Sequence, residues 1–439
     1  MRKPIFYFDY YNYYVNFIIT NKYNNIMKYL IFTFALIFSI NSFADYKVYA
    51  SQNQKIDLPE NAVPKPSLHS NGVTVQCEGM DEGEIFELNG ESYRVVYTKE
   101  DAAIYAEAAC TSNLTDLSFA FENNSSFNKD ISHWDTSNVT NMVSVFLSAS
   151  SFNSPIGFWD TSNVVFTSNM FNKASNFNQP IGNWDVSSVK VMQSMFREAL
   201  SFNQNINNWN TSSVENMQAM FYMAEKFNQP LSNWNVSNVT NMDSMFSRAT
   251  IFNQNLNNWN VSSLVRMSSM FFKAESFNQP LSNWDISSVS KMRYVFYDAK
   301  KFNKPLNDWD TSSATDMTAM FQNAIVFDQP LNSWETSNVL SMNNMFLGAT
   351  SFNQYLYSWD TSNVKIFLGM FRDASSFNTN LRNWDVSGAT DMRQMFYGAG
   401  NFNQDLSNWC VSSVGSNYGS FNRFAISWSK PKPLWGTCP

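Results

Sequence analysis

A polar side chain that could bind a cation or act as an acid or base follows a tryptophan at every twenty-fifth residue from 134 to 384. We call this set the Asp/Asn ladder: Asp135, Asp160, Asp185, Asn210, Asn235, Asn260, Asp285, Asp310, Glu335, Asp360 and Asp385. Neighbouring carboxylates could share Ca²⁺, which takes about six to eight oxygen ligands. Two of them could also serve as the acid and the base of a secreted hydrolase.

The ladder favours binding over catalysis. Three amides interrupt the carboxylates at 210–260, which weakens a shared calcium site, and a repeated environment singles out no residue for proton transfer. His133 takes a position that is usually Asn, so we interpret it as a surface variant rather than a base. We therefore predict no enzymatic activity, no bound metal and no cofactor.

Two interpretations of the ladder remain. In the first, Asp, Asn and Ser satisfy backbone groups in turns and caps. In the second, the ladder is a polar face that binds a protein or glycan at a cell surface or in a matrix. The candidate binding residues are the eight acids: Asp135, Asp160, Asp185, Asp285, Asp310, Glu335, Asp360 and Asp385.

The tryptophans belong to a repeat that runs without insertions and returns to the same residue type at every twenty-fifth position. Trp recurs from 134 to 409, Phe from 127 to 402 and again from 146 to 421, and Ile or Leu from 131 to 406. A fixed period of this length indicates a stacked array in which each copy mainly contacts its neighbours. The aromatic residues are therefore expected to form interior columns.

Within one copy, the spacing predicts a strand followed by a helix. Trp234 and Val236 are two residues apart, which is the strand period. Val239, Met242, Met245, Phe246 and Ala249 have the spacing of one helix face, and Ser237 before them is a natural N-cap. The predicted fold is an α/β solenoid of about thirteen 25-residue strand–helix coils, with a parallel sheet whose outer face carries the ladder.

Both ends of the repeats, which we place at 109–424, carry a pair of cysteines. Four cysteines in a secreted chain imply two disulfides, and the local pairs are Cys77–Cys110 and Cys410–Cys438; a metal site is the alternative. Each disulfide would fix a cap, at 73–108 and 425–439. In the first cap, Asn89-Gly90 predicts a hairpin and the Ala-rich run from 100 to 109 a helix.

The N-terminal 44 residues contain a pattern typical of export. Met27-Lys28, the apolar run 29–38 and a small-residue site predict a signal peptide cleaved after Ala44, with translation starting at Met27. The run is too short to span a bilayer, so the mature chain is expected to be secreted or on the cell surface without a transmembrane segment. A membrane anchor built from 5–44 is the alternative. Residues 45–72 are interpreted as a linker.

Composition restricts the partners further. Charged residues make up only 15% of the chain and hydrophobic residues 44%, which excludes a charge-rich disordered protein. The net charge of −7, without a Lys/Arg-rich run, argues against nucleic-acid binding.

The repeat resembles a known family. The segment 227–242, Phe-Asn-Gln-Pro-Leu-Ser-Asn-Trp-Asn-Val-Ser-Asn-Val-Thr-Asn-Met, and the closing Trp435-Gly-Thr-Cys-Pro439 resemble BspA-type leucine-rich-repeat surface proteins, whose repeat also occurs in mycoplasma surface lipoproteins. The resemblance implies a leucine-rich-repeat-like solenoid that acts in adhesion or protein interaction. A structural envelope or matrix component is the alternative. No lipobox cysteine is present, which puts lipid attachment in doubt.

Overall fold

The structure, a computed structural model, describes residues 65–439. The predicted signal peptide, the start at Met27 and most of the predicted linker lie outside the described residues. The described part begins with a small N-terminal cap. Its elements are β1 (Ser67–Leu68), β2 (Val75–Gln76), β3 (Ile85–Leu88), β4 (Glu91–Val95), α1 (Lys99–Ile104), a 3₁₀ turn (Ala106–Ala108) and β5 (Ala109–Cys110).

The cap contains two small sheets. β1 pairs antiparallel with β2, while β3, β4 and β5 form the second sheet, in which β4 and β5 are parallel. The hairpin predicted at Asn89-Gly90 joins β3 to β4, and both residues have positive φ angles of 52° and 86°. β1 lies inside the segment interpreted as a linker, so that interpretation is wrong for 67–68. The helix ends at Ile104, earlier than predicted.

The aromatic residues of the repeats form columns in the interior. Neighbouring indoles lie 6.1–6.5 Å apart from Trp134 to Trp284 and from Trp309 to Trp409, with nearly parallel planes. The ring centres of Phe146 and its equivalents up to Phe396 are 5.5–5.8 Å from one another. All these side chains are buried. Successive copies therefore lie on one another in sequence order.

Backbone hydrogen bonds join the copies through one segment, which we call the inter-copy segment. In one copy it runs from 241 to 248, and the N–H groups of Met242, Ser244, Phe246 and Arg248 donate to carbonyls of the next copy over 2.6–2.9 Å. The intervening N–H groups bond within their own copy: those of Met245 and Ser247 donate to the carbonyl three residues back, and that of Asp243 donates to Asn241 Oδ1. Single parallel bridges at every twenty-fifth residue mark this segment from Asp116 to Asp391.

The prediction of a strand and a helix in each copy is wrong for the described residues. Trp234–Val236 lies outside any strand, and the run from Val239 to Ala249 is a series of tight turns. Ser244 and Arg248 have φ angles of 58° and 61°, in the left-handed region. These conformations direct alternate N–H groups to carbonyls of the next copy. In an α-helix the same N–H groups would donate to carbonyls four residues back in the same segment. The parallel pairing between copies is thus made by the segment that we predicted to be a helix, and not by the segment that we predicted to be a strand.

A last coil, residues 415–437, covers the final copy. It follows a 3₁₀ turn at Ser412–Val414, and its Asn417, Gly419, Phe421 and Arg423 accept backbone hydrogen bonds from the copy before. The four cysteines form the two local pairs, Cys77–Cys110 and Cys410–Cys438. Each disulfide therefore ties one end of the repeats to its cap. Residues 65–439 include no helix of the length and apolarity that a membrane crossing requires.

Candidate binding surface on the Asp/Asn ladder

The ladder side chains lie on turns, where most of them accept a hydrogen bond from the backbone two residues later. In Asp360, Oδ1 accepts from the Ser362 N–H over 3.0 Å and from its hydroxyl over 2.6 Å. The same backbone bond occurs at ten of the eleven positions. Ser237 and its equivalents are therefore donors in these turns and not helix N-caps, and both Asp and Asn suit the position.

In six of the eleven copies, a threonine hydroxyl one residue later links the turn to the next copy. Thr136 Oγ1 donates to the Asp160 carbonyl over 2.8 Å, and Thr361 donates in the same way to Asp385. Val or Ile takes this buried position in the other copies, where the bond is missing but the shape is kept. Where the preceding copy carries Thr, the ladder residue is thus held both by its own turn and by that copy.

The ladder is exposed with one exception. Asp160, Asp185, Asp285, Asp310, Glu335, Asp360 and Asp385 are all exposed to solvent. Asp135 is only 5% exposed, and its Oδ2 accepts from the Ser112 hydroxyl over 2.7 Å. Asp135 is therefore not part of the exposed ladder, and its assignment to a binding face is wrong, because its side chain is buried against Ser112.

The turns keep several of the exposed carboxylates ionised. Hydrogen bonds from the Ser312 side chain and backbone lower the pKa of Asp310 below its ordinary range. The Ser187, Ser362 and Ser387 groups lower the pKa values of Asp185, Asp360 and Asp385 in the same way. These four side chains are therefore held in their negatively charged form.

No ladder carboxylate has an ion-pair partner among residues 65–439, in contrast to acids of the inter-copy segment. Asp243 Oδ2, for example, lies 2.7 Å from Arg266 Nη2.

Glu335 differs from the other ladder acids because its side chain is one methylene longer. It accepts no hydrogen bond from the backbone N–H two residues later, and it lines a shallow depression with Asp308 and Asp310. The described part of the chain contains no group of three or more His, Cys, Asp or Glu placed to hold a metal ion.

His133 contacts the N-terminal cap, which corrects its interpretation as a surface variant. Its Nε2 lies 3.1 Å from the Ala109 carbonyl oxygen, and its ring centre lies 5.4 Å from that of Tyr93. Burial lowers the pKa of His133. The histidine thus joins the first copy to the cap.

A second polar row, which sequence reasoning missed, lies in the Phe-Asn-Gln turn. Asn178 Oδ1 accepts from the backbone N–H of Asn203 over 2.9 Å, and Gln204 Nε2 donates to the Asn178 carbonyl over 2.8 Å. The Asn-to-backbone bond repeats without a break from Asn128 to Asn403, with Asp328 in one position. The sequence did carry a signal for this row, because the Asn position is almost invariant among the copies, whereas the ladder position varies.

These features define a tandem-repeat protein whose 25-residue copies are joined by aromatic columns and rows of polar hydrogen bonds. The family described as "Mycoplasma protein of unknown function, DUF285" matches at residues 96–197, 155–256, 231–334, 255–355 and 325–430. These matches span most of the chain, and the protein belongs to this family. No curated protein matches the sequence.

Proposed function

We propose that this protein is a secreted or cell-surface scaffold without enzymatic activity, which binds a protein or glycan partner through the exposed acids of the Asp/Asn ladder. The observation that carries the proposal is the row of exposed carboxyl groups on successive copies, none of which has an ion-pair partner within residues 65–439. Asp285, Asp310, Glu335, Asp360 and Asp385 follow one another without a break. A continuous row of one charge fits an extended partner with basic groups, because complementary charges steer and orient association.

The proposed architecture is a leucine-rich-repeat-like solenoid of the BspA type. It is supported by the parallel bridges at every twenty-fifth residue and by the resemblance of 227–242 to that family. Export is supported by the signal-like pattern that ends at Ala44 and by the two disulfides, which form in oxidising compartments.

The binding proposal is tested by removing charge while keeping the turns. The triple variant Asp285→Asn, Asp310→Asn, Asp360→Asn keeps the Oδ1 acceptors, and Asn already holds this position in three copies. Purified protein is applied to cells and to immobilised matrix proteins at increasing salt. We expect salt-sensitive binding by the natural chain and weaker binding by the variant at an unchanged melting temperature.

A matched variant adds charge on the same surface. Asn210→Asp, Asn235→Asp, Asn260→Asp closes the gap in the carboxylate row, and we expect it to bind more tightly. Equal binding by all three proteins would reject the ladder as the binding site.

A structural envelope or matrix component is the second candidate. It is favoured by the use of ten ladder side chains in their own turns. This function predicts that no ladder substitution changes surface binding and that substitutions which break the turns change only stability.

A further inference from the structure

Three aromatic side chains meet on the outer surface of two neighbouring inter-copy segments. The rings of Phe272 and Tyr297 stack with their centres 4.6 Å apart. The ring of Tyr294 contacts both, with its centre 6.5 Å from that of Phe272 and 6.1 Å from that of Tyr297. Phe272 and Tyr297 are half-buried, and Tyr294 is 37% exposed. In contrast to the interior columns, this cluster is accessible to a ligand.

Two cations lie against the cluster. The Arg248 Cζ lies 5.8 Å and the Lys273 Nζ 5.7 Å from the centre of the Phe272 ring. Lys273 Nζ is also 3.7 Å from Asp298 Oδ2, whereas Arg248 has no ion-pair partner within residues 65–439. An arginine on an aromatic ring can offer its planar donors to a carboxylate or sulfate group. We define the aromatic–basic patch as Arg248, Phe272, Lys273, Tyr294 and Tyr297.

The surface around the patch is basic in a chain whose net charge is −7. Lys291 is exposed and has no ion-pair partner in the described part of the chain. The four inter-copy segments from 241 to 323 carry five basic residues and three acids: Arg248, Arg266, Lys273, Lys291 and Arg293, against Asp243, Asp298 and Asp316. This surface therefore favours an anionic ligand.

Tyr294 occupies a backbone position that is unfavourable for an aromatic residue. Its φ angle of 59° lies in the left-handed region, which bulky side chains rarely adopt. The other copies have Ser, Asn, Ala, Gln or Gly at this position, apart from Phe119 in the first copy. Strained residues of this kind cluster at binding sites, so the strain at Tyr294 points to a function rather than to folding.

The chemistry of the patch suits a saccharide that carries acid groups. One face of a sugar ring presents C–H groups, which pack on an aromatic ring, and its hydroxyl groups need both donors and acceptors. The Tyr297 hydroxyl accepts from Gln322 Nε2 over 3.3 Å and keeps its own proton to donate. The Asp298 carboxylate beside it supplies an acceptor, and the Arg248 guanidinium supplies paired donors for an acid group.

Two other anionic ligands fit the patch less well. An extended peptide that adds to a sheet edge needs free backbone groups, but the N–H groups of Ser269, Phe271 and Lys273 already donate to the next copy. A nucleic acid presents a phosphate at each nucleotide and is bound through basic groups, whereas here three carboxylates lie among the cations.

We propose that the aromatic–basic patch is a binding site for an acidic saccharide, with a sugar ring against Tyr294 and an acid group on Arg248. The patch extends over three neighbouring copies, or about 10 Å at roughly 4.8 Å per copy, which accommodates a short stretch of sugar rings. The site lies on a different segment from the Asp/Asn ladder and does not depend on the function proposed for the ladder.

The test measures binding of the full chain to polygalacturonate, hyaluronan and heparin by isothermal titration calorimetry, with dextran as the neutral polysaccharide. We expect binding to one or more of the acidic polymers and none to dextran. Tyr294→Ser introduces the residue that Ser244 and Ser269 provide in the two preceding copies. We expect it to bind about ten-fold more weakly, as for the loss of one aromatic contact, at an unchanged or higher melting temperature. Arg248→Gln should weaken binding as well.

Phe119→Ser is the matched control, because Phe119 has the same left-handed conformation, with φ of 64°, but contacts no other aromatic ring within residues 65–439. It should bind like the natural chain. The triple ladder variant Asp285→Asn, Asp310→Asn, Asp360→Asn should also keep this binding, so that a failure of one proposal is distinguishable from a failure of the other.

Three results would overturn the saccharide site. The first is that none of the three acidic polysaccharides binds. The second is that polyglutamate or single-stranded DNA binds as tightly as they do, which would indicate charge attraction alone. The third is that Tyr294→Ser binds like the natural chain.

Discussion

The indole Nε1 of Trp284 donates a hydrogen bond to the backbone carbonyl oxygen of Leu256 in the preceding copy, 2.9 Å away. The same bond, of 2.8–3.1 Å, links each tryptophan from Trp159 to Trp409 to the Ile or Leu 28 residues before it. Trp309 makes this bond too, because its Nε1 donates to the Leu281 carbonyl. Each tryptophan therefore both fills the interior and gives a second donor to a carbonyl of its neighbour, which also accepts a backbone N–H from its own copy.

Trp284→Phe separates these two roles. The ring stays apolar, but the Leu256 carbonyl loses one of its two donors and keeps only the backbone N–H of Trp259. The loss of one hydrogen bond of this kind costs about 0.5–1.5 kcal/mol. Trp284→Ala also opens a cavity and should cost about 3–5 kcal/mol. Urea unfolding followed by circular dichroism measures both. Phe158→Ala, at a ring that is 54% exposed, should change stability little; a comparable loss there would contradict this account.

Asp360 tests the turn of the ladder. Asp360→Ala removes the acceptor for Ser362 and should cost about 0.5–1.5 kcal/mol. Asp360→Asn keeps the acceptor and should be close to neutral in the same unfolding experiment. If Asn and Ala proved equally destabilising, charge rather than the turn would be the important property.

Glu335→Asp should stabilise the protein, because Glu335 is the one ladder acid or amide without a bond to the backbone two residues later among the described residues. Shortening the side chain places its carboxylate where Asp310 and Asp360 hold theirs. We expect a gain of about 0.5–1 kcal/mol in the free energy of unfolding. Glu335→Gln, which changes charge but not length, should bring no such gain.

Thr379 interrupts the row of glutamines in the Phe-Asn-Gln turn. Its hydroxyl is buried without a partner in the described structure, whereas Gln404 Nε2 donates to the Asn378 carbonyl over 2.8 Å. Thr379→Gln should restore the missing bond to Asn353 and raise the free energy of unfolding by about 1 kcal/mol. Thr379→Val, which removes only the unpaired hydroxyl, should give a smaller gain; a loss in both variants would refute the explanation.

Acid should weaken the fold through the ladder. The pKa values of Asp185, Asp310, Asp360 and Asp385 are lower in the folded chain because serine groups donate to them. The stabilisation is therefore complete above their unfolded pKa, near 3.9, and is lost as pH falls through the lower folded values. Melting temperatures between pH 7 and pH 2 measure this loss. The variant with Asn at all four positions should lose less stability.

The sequence predicted the period, the interior columns and the disulfides, because each depends only on residue type and spacing. It did not predict the inter-copy segment. Val239, Met242 and Met245 are three residues apart, a spacing that suits a helix and a series of turns equally well. The left-handed residues that decide between them, such as Ser244 and Arg248, are mostly not glycine. Asp135 was misplaced because the spacing of the repeat does not reveal that Ser112 buries this one member of the row.

The constancy of the bonds between copies makes the number of copies adjustable. If one full period were removed from the middle, the N–H groups on one side of the cut would still face the carbonyls they require, and the indole would still find its carbonyl. A cut of any other length would misalign every row at once. A gene that encodes such a chain can thus lengthen or shorten its product in whole steps, and the two disulfide-bonded ends would be unaffected.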